Sequence, residues 1–94
     1  MIRYSVFYPV TEGATFDHDY YRETHVPLCA QTWSPADVQI DKGLEGPYVA
    51  AAHFQFSSME TMTAALGAEG TTAVRADIVN YTTIDPVRQI SEVV

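Results

Sequence analysis

The groups best suited to chemistry in this sequence fall within one stretch, Phe-Asp-His-Asp-Tyr-Tyr-Arg-Glu-Thr-His-Val-Pro-Leu, from Phe16 to Leu28. His25 carries an imidazole, which moves protons readily near neutral pH. Tyr21 lies one helical turn earlier, placed to hydrogen-bond that ring or to polarise a carbonyl on a ligand. Pro27 cannot donate to the carbonyl of Glu23, and its ring crowds that carbonyl, so a helix here should kink where His25 sits. Two readings of His25 follow: a proton-transfer group on a pocket wall, or a ring that bonds a freed carbonyl and steadies the kink. His53, between Ala52 and Phe54, is a second-rank pocket group that points to either sheet face depending on register. His18 should face solvent. His18 and His25 are seven residues apart, about 10 Å along a helix, too far for one metal ion with bonds near 2 Å. No metal site is expected. Cys29, the single cysteine, has no partner for an internal disulfide and reads as a small packed residue more than as a nucleophile.

These groups need a frame. Thr15 offers an N-cap hydroxyl, and Asp17 and Asp19 then favour the positive end of a helix dipole. At about 100° per residue, Phe16, Tyr20, Tyr21, Thr24 and Leu28 share one face, with His25 at its edge. The helix fades by Trp33, and Ser34-Pro35 marks a break. Residues 2 to 9 alternate as a strand, with Ile2, Tyr4, Val6 and Tyr8 on one side and Arg3, Ser5 and Phe7 on the other. Residues 38 to 42 form a short strand, and Gly43 to Pro47 a hairpin connection. Residues 48 to 56 give the longest strand signal: Tyr48, Ala50, Ala52, Phe54 and Phe56 on one side, Val49, Ala51, His53 and Gln55 on the other. Ser57 and Glu60 read as a capping box opening a second helix. A further helical piece spans 70 to 79, and β character resumes at Tyr81 to Ile84, extending past Pro86 at a sheet edge.

Composition narrows the partners. With 94 residues the chain is expected to hold one domain, 1–94, and a core this small gains from oligomerisation. A net charge of −7 with five Lys and Arg argues against nucleic acid, whose phosphates need a basic patch, and against an anionic membrane surface. No apolar run approaches the roughly 20 residues of a membrane span and no signal-peptide pattern opens the chain, so a cytoplasmic protein is expected. There is no dinucleotide or phosphate-binding glycine motif.

The order is β-α-β-β-α-β, which predicts an α+β, ferredoxin-like fold with a four-stranded antiparallel sheet and helices on one side. The other face would carry Phe7, Val49 and Ala51, too apolar for water alone. Two such faces meeting in a homodimer would bury them.

The stretch Phe16-Asp17, Tyr20-Tyr21 and His25-Val26-Pro27-Leu28 resembles the signature of the EthD-like family, named for a protein associated with ethyl tert-butyl ether degradation. The tail Asn80-Tyr81-Thr82, Asp85-Pro86-Val87 and Gln89-Ile90-Ser91 is similar to that family's last strand, so the resemblance spans essentially the whole chain. It implies a dimeric α+β barrel. It does not imply one reaction, since the wider superfamily includes polyketide cyclases and dehydratases, haem-degrading monooxygenases and muconolactone isomerases.

Residues and resemblance together suggest a cofactor-independent enzyme of the cyclase, dehydratase or isomerase type. It would act by proton transfer on a small apolar, aromatic or polyketide-like molecule. His25 and Tyr21 would be catalytic; Tyr4, Tyr20, Thr24, Leu28, Tyr48 and His53 would bind substrate. The alternative is a non-catalytic protein that sequesters a small hydrophobic ligand, with haem processing a third option. The expected pocket is a cleft between the first helix and the sheet, with His25 at its mouth and Ala50 and Ala52 at its floor.

Overall fold

A computed structural model describes residues 1–94. Strand β1 (Ile2–Pro9) leads to a helical segment in three parts: helix α1 (His18–Tyr20), a π turn (Tyr21–His25) and helix α2 (Val26–Trp33). Strands β2 (Asp37–Lys42) and β3 (Tyr48–Phe56) form a hairpin. Helices α3 (Met59–Leu66) and α4 (Thr71–Ala76), a 3-10 turn (Asp77–Asn80) and strand β4 (Val87–Glu92) complete the chain. The strands make one sheet of four in the order β2-β3-β1-β4, with every pairing antiparallel. This is the α+β, ferredoxin-like arrangement that the alternating pattern predicts. No helix is long and apolar enough to cross a membrane.

Register fixes which side chains meet the helices. Tyr4, Val6 and Tyr8 pair with Phe54, Ala52 and Ala50, and all six are buried in the core. Alternation puts Ser5, Phe7, Ala51 and His53 on the opposite face. The register slips between Tyr8 and Pro9, so that Pro9 faces Tyr48. Pro9 has no N–H for the ladder, and an irregularity at a proline is the usual accommodation. The slip turns Tyr48 away from the alanine side, and its ring packs on Phe7 at 4.8 Å.

Several boundaries differ from expectation for local reasons. Thr15 does not cap the first helix. Its carbonyl accepts the Thr82 hydroxyl at 2.7 Å, and Phe16 bridges to Thr82, holding the chain extended for two more residues. Asp17 is the cap, its carboxylate accepting the Tyr20 N–H at 3.1 Å. The second helix opens one residue later than the Ser57 frame, with Ser58 accepting from Thr61 N–H at 3.1 Å. Tyr81 to Ile84 is not a strand. Only Thr82 bridges, and β4 begins at Val87, after Pro86, on the sheet edge.

Candidate functional site

Pro27 sets the local backbone of the site. The chain answers the proline with a π turn over Tyr21–His25, closed by the Val26 N–H bonding the Tyr21 carbonyl. Pro27 then sits in the first turn of α2, where its missing N–H costs least. A π turn inserts one residue relative to an α-helix and recurs at functional sites. The insertion advances the buried stripe to Tyr21, His25, Val26, Cys29 and Trp33. Thr24, expected on the inner face, is exposed, and Leu28 is only partly buried.

The opposite wall is tied to this turn at its base. Asp17 N–H donates to the Tyr81 carbonyl at 2.8 Å, which brings the 3-10 turn Asp77–Asn80 against the π turn. The His25 side chain is 5% exposed and its Nδ1 lies 2.9 Å from Oδ2 of Asp77, itself 13% exposed. Tyr20 O–H donates to Asp77 Oδ1 at 2.7 Å, and Asn80 Nδ2 donates to the same oxygen at 2.9 Å. A carboxylate with these donors takes the Nδ1 proton as its remaining hydrogen bond, which leaves Nε2 unprotonated, an acceptor for the Cys29 thiol. The Cys29 sulfur lies 3.6 Å from that nitrogen. Tyr21 stacks on the imidazole with centroids 5.7 Å apart, and Tyr81 lies 4.5 Å from it. The Tyr8 and Tyr81 hydroxyls are 2.6 Å apart.

Electrostatics agree with this protonation pattern. Burial lowers the His25 pKa from its usual 6.5, and Asp77 only partly opposes that. Burial alone would raise Asp77, but its bonds from Asn80, His25 and Tyr20 outweigh it and hold the carboxyl below its usual range. Burial pushes the Cys29 thiol up to about 12 and the Tyr21 and Tyr81 phenols well above their usual 10.0. At neutral pH the site therefore holds a neutral imidazole, an ionised Asp77, a thiol and neutral phenols. Cys29 is a packed thiol here, with no activated nucleophilic character.

His25 and Cys29 open onto a cavity between sheet and helices, floored by Tyr4, Val6, Tyr8 and Phe54 and walled by Trp33 and Tyr21. Its volume is about 30 Å³, room for a water or two. The alanine floor is not seen: Ala50 and Ala52 are 2% and 0% exposed and do not line the chamber, whereas Phe54 does. The expected cleft is thus a small, mostly apolar chamber. A second, polar groove of about 170 Å³ runs between the π turn and β2, lined by His18, Arg22, Asp41 and Lys42, with Tyr21 lining both spaces.

Of the expected site residues, the fold brings His25, Tyr21 and Tyr4 together at the chamber. Tyr20 reaches the site through Asp77 instead of lining it. Thr24, Leu28 and Tyr48 stand away from it for the reasons given above. His53 lies on the opposite sheet face, where Nδ1 is 2.8 Å from Ser5 Oγ and Nε2 is 2.8 Å from Asp41 Oδ2. This Ser-His-Asp chain lacks an accessible nucleophile, because Ser5 is 2% exposed and borders neither cavity. Asp77 and Tyr81 are the site residues that the sequence reading missed. Asp77 had left a trace: an acid at the C-terminal end of a helical run opposes the dipole and needs a compensating partner.

A ferredoxin-like α+β domain with a buried His-Asp pair facing an apolar chamber is the class that fold and site define. No protein-family model matches the chain, and no curated protein matches it. Among solved structures, an EthD-like protein from Ralstonia eutropha JMP134 is 41% identical, with a TM-score of 0.91 over 99% of this chain and 91% of its own. An ethyl tert-butyl ether degradation (EthD) family protein from Bacillus halodurans shares 16% identity at a TM-score of 0.79, covering 100% of this chain and 99% of its own. A dimeric protein with a ferredoxin-like fold from Bacteroides fragilis shares the fold alone, at 6% identity and a TM-score of 0.63, over 98% of this chain and 95% of its own. The chain belongs to the EthD-like family.

Proposed function

We propose that this protein is a cofactor-independent enzyme that moves a proton on a small apolar or aromatic molecule, in a cyclisation, dehydration or isomerisation. The observation that carries the reading is the orientation of His25. Its Nδ1 bonds Asp77 at 2.9 Å, and its other nitrogen is unprotonated, with only the weak donor of Cys29 beside it at a largely apolar chamber. A neutral imidazole with a fixed tautomer is a general base, and the imidazolium formed on proton abstraction is stabilised by the carboxylate behind it. Tyr21 stacks on the ring and keeps it from turning. The substrate must open the chamber to enter, since about 30 Å³ does not hold an aromatic ring. The expected pH profile rises to a plateau, because the active form is the deprotonated ring. Its midpoint lies below 6.5, since burial lowers the His25 pKa. Ligand binding with no turnover and no ionisation in that range would support the alternative, a non-catalytic protein that holds a small hydrophobic ligand.

The sheet face opposite the helices supports a homodimer. Phe7 is only partly buried there, and Tyr48 and Val87 are 39% and 50% exposed. Apolar surface of this kind is covered when two sheets associate. Light scattering at micromolar concentration is expected to give twice the chain mass. A monomer of unchanged helix and strand content at that concentration would sink the dimer.

A further inference from the structure

Two of the chain's five Lys and Arg residues, Arg75 and Arg88, border the His25 chamber. They come from different elements. Arg75 lies on α4, and Arg88 on β4 opposite Val6, hence on the helix side of the sheet. The ion pairs of the structure involve Arg22, His25 and His53; neither Arg75 nor Arg88 takes part, and neither side chain makes a hydrogen bond within the protein. That is notable in a chain with twelve acids against five bases, where carboxylates to pair with are plentiful. The other groove differs: its Arg22 is already matched to Asp19 and Glu23. Two uncommitted guanidinium forks beside one apolar chamber match a carboxylate, which each can bind in bidentate fashion. A guanidinium fork also fits a phosphate, but the mostly apolar lining beside these two suits an anion with an apolar body.

Resting on the proton-transfer reading of the same site, we infer that the ligand is a small aromatic or apolar carboxylic acid, its carboxylate held by Arg75 and Arg88 and its apolar body directed toward His25 and Trp33. The two arginines are thus specificity residues. The carboxylate anchors one end of the molecule, and the carbon to be deprotonated lies in the part that enters the chamber. The Arg88 charge is also felt inside, at the Tyr8 phenol, where it favours negative charge.

The test uses phenylacetate and its neutral isostere phenylacetamide on the full-length protein. Trp33 is the only tryptophan and lines the chamber, so its indole N–H cross-peak in a ¹⁵N correlation spectrum reports occupancy. The acid is expected to bind about tenfold or more tightly than the amide, and this advantage should shrink at high salt. In an R75Q/R88Q variant the acid should lose that advantage while the amide binds as before. Both side chains are exposed, so the core is untouched. Equal affinities of acid and amide in the unaltered protein, or an acid affinity unchanged in the variant, overturn the arginine assignment and leave the chamber reading standing. Failure of both molecules to shift the Trp33 peak at millimolar concentration overturns the chamber reading and this inference with it.

Discussion

Replacing His25 by alanine is expected to lower turnover by about 10²- to 10⁴-fold, the usual contribution of a positioned general acid or base, or roughly 3–5 kcal/mol of barrier. The loss should fall on kcat, because the ring takes a proton in the transition state and offers little apolar surface for binding. The supporting Asp77→Asn variant separates a catalytic ring from a structural one. Both the hydrogen bond and the charge of Asp77 raise the His25 pKa against burial, so their removal lowers it further. The midpoint of the rate profile should move to lower pH, with a reduced plateau, because a weaker base abstracts the proton less readily. A ring that merely steadies the proline kink predicts something else: a stability loss in His25→Ala and an unchanged pH profile in Asp77→Asn. Turnover within a few-fold of the parent in His25→Ala would rule out the catalytic role.

The same residues show how far a sequence carries. Strand alternation placed Tyr4, Val6, Tyr8 and Phe54 together on one side correctly, because a period of two fixes which residues of a strand share a face. Phase failed where the chain departs from regular geometry. One added residue in the π turn moved Thr24 out and Val26 in; the proline announced a disturbance but not its form. The slip at Pro9 likewise sent Tyr48 to the opposite face. His25 itself was legible from its type and neighbours. Its partner was not, since Asp77 lies 52 residues away and is approached through contacts such as the Asp17 N–H to the Tyr81 carbonyl, a backbone bond that leaves no residue-type signature. Tyr81 was misplaced for a related reason. Its aromatic ring and the following threonines score as strand, while packing against Tyr8, Tyr21 and His25 holds it in a turn.

Phe54→Ala is expected to be the most destabilising single truncation at the chamber. Phe54 is 2% exposed, meets Trp33 edge-on with centroids 5.1 Å apart and pairs across the sheet with Tyr4 and Val38. Removing a buried phenyl ring costs about 3–5 kcal/mol, combining lost transfer energy with the void left behind. Domains of this size hold only about 5–15 kcal/mol in total, so the melting temperature should fall by roughly 12–40 °C. The void joins a chamber of about 30 Å³, and the sum approaches the space that an aromatic ring needs. Apolar cavities of that kind take up benzene-sized molecules. Indole added at 100 times its dissociation constant should therefore restore about 2.7 kcal/mol, a rise in melting temperature that the parent protein does not show. The two readouts act together: Phe54, not the alanines beside it, closes the chamber, and its removal should both weaken the fold and open the site. A melting temperature lowered by only a few degrees, with no response to indole, would mean that neighbouring side chains collapse into the gap and that Phe54 does not set the chamber's size.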